Sequence, residues 1–179
     1  MSSKQELLMV PLTQFFKNKN NLFKMTKITT GKSPISLRIL DWFVTNYSKK
    51  NNTAYDRVDK SGNLVRFIVF LDYKSQLKAY SKRQFDPFCR RDRISFYDHD
   101  NNEIVTTVGQ LNFFKWAIEN GVLDYVNTNL RLIESDMNDS IRNIYKKNPQ
   151  GQRRKRQELS VSAVKKVNKH ETKIIVKFD

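Results

Sequence analysis

The sequence predicts an α+β fold, a small antiparallel sheet of two hairpins packed with about three to four helices and flanked by basic N- and C-terminal arms. Three observations predict it. Apolar residues recur at helical spacing in separate stretches, short β-branched and aromatic runs flank polar turns, and the cations gather at both ends and in one internal band.

Residues 1–32 are rich in Lys and Asn, with LLMVPL and QFFKNKNNLF as apolar patches. They read as a basic N-terminal arm that either packs on the domain or orders with a partner. Beyond TTGKS, Ile39, Leu40, Phe43 and Tyr47 stand at helical spacing, so a helix is expected over 34–47 with Ser33 as its N-cap and Pro34 in its first turn. Residues 53–58 and 64–71 flank DKSGN, and the run LVRFIVFL has the composition of a buried strand, which gives a first hairpin. RISFY and EIVTT around DHDNN give a second. Thr107 and Gln110 form a capping-box pattern ahead of GQLNFFKWAIEN, and Gly121 is a suitable stop. Leu130, Ile133, Met137, Ile141 and Ile144 mark a last helix to about Tyr145. The α+β domain therefore spans 33–146. Residues 147–179 form a basic tail in which NPQGQRRKRQ has no buried face and KIIVKF is expected either to add an edge strand or to belong to a mobile arm.

Charge points to the partner. The chain carries 33 basic and 18 acidic side chains in 179 residues, a net +15 that favours a polyanion. The stretch KSQLKAYSKRQFDPFCRRDR, residues 74–93, holds seven cations against two carboxylates, whereas 94–145 is net acidic. If 73–83 forms a helix ended by Asp86-Pro87, Lys74, Lys78 and Lys82 line up beside the face of Tyr73, Leu77 and Tyr80. Arg83, Arg90, Arg91 and Arg93 follow. Arginine forks suit phosphate, and lysines add point charge. Phe85 and Phe88 are expected to pack rather than to stack on bases. Arg153, Arg154, Lys155 and Arg156 form an auxiliary clamp, and the same RRKR cluster could serve as a nuclear import address.

Enzyme signatures are sparse. DHDNNE imitates the start of a calcium loop, but Glu103 stands where Gly is required and Gly109 where the final Glu belongs. His170 is isolated in the tail. Cys89 lies beside Arg90 and Arg91 with no His near it in sequence to act as base, and a single cysteine excludes an intramolecular disulfide and a cysteine-based zinc cluster. There is no GxxxxGK[ST] and no GxGxxG. One catalytic alternative survives: Asp72-Tyr73-Lys74 at the end of a strand, with Asp56 on its partner and Asp41 on the preceding helix, imitates the Asp and Asp-x-Lys of Mg²⁺-dependent nucleases. No cofactor is implied.

RILDWFVTNYSKKNN, YKSQLKAYSKRQFDPFCRR and TTVGQLNFFKWAIENGVLDYV, in a chain heavy in Lys and Asn, resemble the small basic proteins of nucleocytoplasmic large DNA viruses, the giant-virus group. The resemblance covers about residues 34–126 and brings no catalytic motif. It implies a viral origin and a place in the virus factory or the particle.

The sequence thus leads to a non-enzymatic protein that binds DNA or RNA through its phosphates, intracellular and without a membrane span, in a factory, a virion or a host nucleus. Its main rival is a structural or minor virion protein in which the acidic segment 94–145 meets the basic band of another copy or of another viral protein.

Overall fold

The computed structural model describes residues 3–59, 61–90, 92–97 and 102–147. They divide into a compact unit, Met1–Arg142, and a second unit, Asn143–Asp179, described only as far as Lys147.

Helix α1 (Ser3–Phe16) runs into α2 (Lys19–Thr29) across a tight corner. Asn18 caps α2 by accepting the amides of Asn20 and Asn21. Leu12, Phe16, Leu22, Met25 and Ile28 are buried, and α1 packs on a later helix and on α2. Of the two expectations for residues 1–32, packing on the domain or ordering with a partner, the helices follow the first and belong to the same compact unit as the residues after them. Periodic burial decides this over their polar composition.

The next helix begins later than expected. Ser36 is the N-cap, accepting the amide of Ile39, whereas Ser33 only closes a local turn onto the amide of Ile35. Helix α3 (Leu37–Trp42) continues through a π-helical turn, Phe43–Tyr47, into α4 (Ser48–Lys50). The Trp42 indole donates to Asp136 at 2.9 Å, and Lys50 also pairs with Asp136. Burial pushes the Asp136 pKa up, but the hydrogen bonds from Lys50 and Trp42 outweigh it and hold the carboxyl below its ordinary value.

Strands β1 (Ala54–Val58) and β2 (Leu64–Ile68) form the first antiparallel hairpin, with Asp56 opposite Arg66. Asp59 holds its turn by accepting the amides of Ser61 and Asn63 at 2.8 Å each, and Gly62 supplies the φ of +84°. The run LVRFIVFL is not one strand. Its pairing stops at Ile68, and α5 (Val69–Tyr80) starts at the next residue. Val69, Tyr73 and Leu77, four residues apart, then face the core as a helix requires. A short apolar run cannot by composition distinguish a buried strand from a buried helical turn.

The second hairpin, β3 (Arg93–Tyr97) with β4 (Glu103–Thr107), also leads directly into a helix, α6 (Val108–Glu119). Thr107 caps α6 through the amide of Gln110. Gly121, at φ +69°, turns the chain into α7 (Val122–Thr128), and α8 (Leu130–Lys147) closes the described fold. Among the described residues each sheet has two strands, so these two hairpins are not joined edge to edge.

The core is strongly aromatic. Tyr125 stacks on Tyr55 at 5.1 Å between ring centroids and lies 5.4 Å from Phe43. Phe67 continues from Tyr55 towards Trp116, which meets Phe85, Phe113 and Tyr73. The Tyr55 hydroxyl donates to the carbonyl of Asn120 at 2.8 Å, fixing the first hairpin to the end of α6.

Gln110 is the buried polar group on which this arrangement turns. Its Oε1 accepts the hydroxyl of Thr106 at 2.9 Å, and its Nε2 donates to the Pro87 carbonyl at 2.8 Å. Gln110→Ala would strand both partners in a dry site. The variant should lose about 1–3 kcal/mol of stability, read as a lower urea midpoint in an otherwise native protein.

Candidate nucleic-acid interface

The basic band is a docked loop with cations along its outside. Helix α5 ends at Tyr80, six residues before Asp86, because Ser81 takes a φ of +62° and turns the chain away. Lys82 therefore lies beyond the helix and does not continue the row of Lys74 and Lys78. The loop backbone is held on the first turns of α6. The Asp86 amide donates to the carbonyl of Gly109 at 3.2 Å, Asn112 donates to the carbonyl of Gln84 at 3.0 Å, and Gln110 reaches Pro87. Gly109 permits this approach, since a Cβ there would lie 3.0 Å from the Arg83 carbonyl oxygen. Phe85 plugs the loop into the core, stacked on Tyr80 and surrounded by Tyr73, Phe113 and Trp116.

Arg90 has a structural part. Its Nε and Nη2 each donate to the buried Asp86 carboxylate at 3.2 Å, and its guanidinium lies 4.3 Å above the Phe88 ring. The half-buried Phe88 is thus covered by Arg90 on one face. Asp41 on α3 stands near this pair. Burial and the charge of Asp86 raise its pKa, while Arg90 and Lys82 oppose the shift.

The other described cations proposed from sequence are exposed: Lys74, Lys78, Lys82, Arg83 and Arg93. None of the five makes a salt bridge among the described residues. Lys74 lies 5.4 Å from the Phe70 ring, and Lys49 of α4 lies 5.6 Å from the same ring. Two lysines from separate helices thus gather around one half-buried aromatic side chain. Lys78 follows Lys74 by one helical turn, beside the exposed Leu71. Lys49 was not singled out in the sequence because nothing in KKNN distinguishes it from Lys50; only the packing of α4 on α5 does so. Arg93 opens β3 on its solvent face. Arg91, His99, His170, KIIVKF and the cluster Arg153, Arg154, Lys155 and Arg156 lie outside the described residues.

The arrangement required for a nuclease differs from the one observed. Asp72 sits in the first turn of α5, not on a strand, and accepts the Trp116 indole N–H at 2.6 Å. Asp56 is exposed on β1 and pairs with Arg66 at 3.1 Å. Asp41 lies on α3, near the Asp86–Arg90 pair. Cys89 is a half-buried free thiol. Among the described residues no group of three or more His, Cys, Asp or Glu is placed to hold a metal ion, and no helix is long and apolar enough to cross a membrane.

Residues 1–179 match a family of unknown function, DUF7197. Over 121 residues the chain is 48% identical to an uncharacterised protein of Acanthamoeba polyphaga mimivirus; the match covers 65% of this chain and 46% of that protein. The chain thus spans about half the length of this curated relative. No solved structure matches.

The Asp41 environment makes a pH-dependent prediction. A carboxyl whose pKa is raised on folding weakens the fold when ionised; that cost is absent below its ordinary value of 3.8 and complete above its folded value. Asp41→Asn should therefore melt higher than the parent at neutral pH. The difference should shrink as the pH falls through the folded pKa and vanish near the ordinary one.

Proposed function

We propose that this chain, which belongs to the DUF7197 family and has a giant-virus relative, is a non-enzymatic nucleic-acid-binding protein that contacts the phosphate backbone. The observation that carries the reading is the state of the cations on and beside the band: Lys74, Lys78, Lys82, Arg83 and Arg93 are exposed and make no salt bridge among the described residues. A net +15 with unpaired exposed cations favours a polyanion over a neutral partner. Arg91 and the tail cations Arg153, Arg154, Lys155 and Arg156 belong to the same proposal as a sequence-level supplement. The site of action would be a virus factory, a virion or a host nucleus. Phe70, flanked by Lys49 and Lys74, adds an aromatic face of the kind that base stacking uses.

A second reading, a structural protein of the particle, rests on a different surface. Leu7, Val10 and Phe23 on the first two helices are 61–73% exposed, an apolar presence that suits contact with another protein.

Binding through phosphates has a measurable signature. Affinity for duplexes of unrelated sequence should be similar, and log K should fall with log salt concentration by about 0.9 per phosphate neutralised. Replacing Lys74, Lys78, Lys82 and Arg83 together by Ala should flatten this slope and leave the circular dichroism spectrum unchanged. An unchanged slope in the folded variant, or strong sequence preference with a flat salt response, would contradict the reading. Arg90→Ala belongs to another class: it leaves Asp86 without its partner and should lower the melting temperature.

A further inference from the structure

We propose that the cavity between the first hairpin, α5 and α6 is a binding site for a nucleoside monophosphate. This goes beyond the backbone-binding reading and does not depend on it.

The cavity, open to solvent on one side, has a volume of about 660 Å³ and is lined by Arg57 of β1, Gln76 and Tyr80 of α5, and Lys115 and Trp116 of α6, among others. Small-molecule sites fall in the range of about 300–1,000 Å³. Its carboxylates already have donors. Asp72 takes the Trp116 indole, Glu119 takes Lys115 at 3.0 Å, and Asp59 takes two turn amides.

Arg57 is the exception. Its guanidinium lies 5.4 Å above the Phe67 ring, makes no hydrogen bond or ion pair with any described residue, and keeps its Nε–H buried without an acceptor. A half-buried cation with an unused planar fork favours an oxyanion, and a small rotation towards the cavity would give Nε–H an acceptor as well. Inorganic phosphate would fill only a small part of the space. The remainder is bordered by the half-buried Tyr80 ring, with the buried Trp116 beneath it and the Gln76 amide able both to donate and to accept, which suits one face and the edge of a planar heterocycle.

The cavity is separate from the lysine surface. Asp72, Gln76 and Tyr80 recur at four-residue spacing on one side of α5, and the helical repeat directs Lys74 and Lys78 to the opposite side.

Isothermal titration of the full chain with each of the four ribonucleoside 5′-monophosphates, the matching nucleosides and inorganic phosphate tests the proposal. At least one monophosphate should bind saturably with one site per chain, and its nucleoside and phosphate alone should bind about tenfold or more weakly, the scale of one lost charged hydrogen bond. Arg57→Gln should weaken the monophosphate by a similar factor. Gln76→Leu, a half-buried helical position that leaves β1 intact, should also weaken it and covers the case in which Arg57→Gln fails to fold. Lys74→Ala with Lys78→Ala should leave monophosphate affinity unchanged while reducing affinity for DNA. No saturable binding of any monophosphate at millimolar concentration would overturn the site. So would binding that the folded Arg57→Gln and Gln76→Leu variants retain in full, or that disappears with Lys74 and Lys78.

Discussion

The attachment of residues 84–87 to the N-terminal turns of α6 is the constraint on which the rest of the structure depends. A loop rich in cations repels itself and has no reason to lie against a core. Here its backbone is held by neutral groups: the Gln110 and Asn112 amides and the Gly109 carbonyl. Phe85 anchors it among four aromatic rings, and Asp86 neutralises Arg90 at its base. Buried amides that find all their partners specify one arrangement, because an unmatched polar group in the same place would be costly. The capping-box glutamine is central to this. Rather than returning to the backbone of its own N-cap, its side chain bridges β4 to the loop.

This division of labour frees the outer cations. Because hydrogen bonds and aromatic packing hold the loop, Lys82 and Arg83 are not needed to hold it. The same holds for Lys74 and Lys78, whose helix is fixed by Val69, Tyr73 and Leu77. Charge can then be arranged for a partner at small cost to the fold. Arg90 marks the limit, since it serves the loop itself.

Much of the fold was legible in the sequence where two signals agreed. Both hairpins, the Thr107 cap and the last helix followed from periodicity combined with turn or capping residues. Where one signal stood alone, it misled. LVRFIVFL has strand composition throughout, yet only its first half pairs, because hairpin register ends at Ile68 and the following residues bury more when helical. Ser33 and Ser36 are both plausible caps, and only the direction of the entering chain chooses between them. The Lys- and Asn-rich composition of residues 1–32 concealed two helices whose inward residues, Leu12 and Phe16 on the first and Leu22, Met25 and Ile28 on the second, recur at helical spacing while Leu7, Val10 and Phe23 face outward. The candidate interface was legible as a density of cations but not as geometry. Arg90 and Lys74 have similar neighbours in sequence, and only the position of Asp86 beneath Arg90 distinguishes a structural arginine from a free lysine. Arg57 could not have been singled out at all, since its missing partner is a property of the cavity and not of AYDRV.

An aromatic, amide-pinned fold leaves Lys74, Lys78, Lys82, Arg83 and Arg93 exposed and without a salt bridge among the described residues, and the proposed partner of these cations is a nucleic-acid backbone. The ultraviolet absorbance ratio of the purified chain at 260 and 280 nm, before and after a high-salt wash, tests it most directly. If the exposed cations bind phosphates, the ratio is raised by copurified nucleic acid and falls to that of protein alone once salt displaces it. A protein-only ratio before the wash, together with no binding when nucleic acid is added back at low salt, would contradict it.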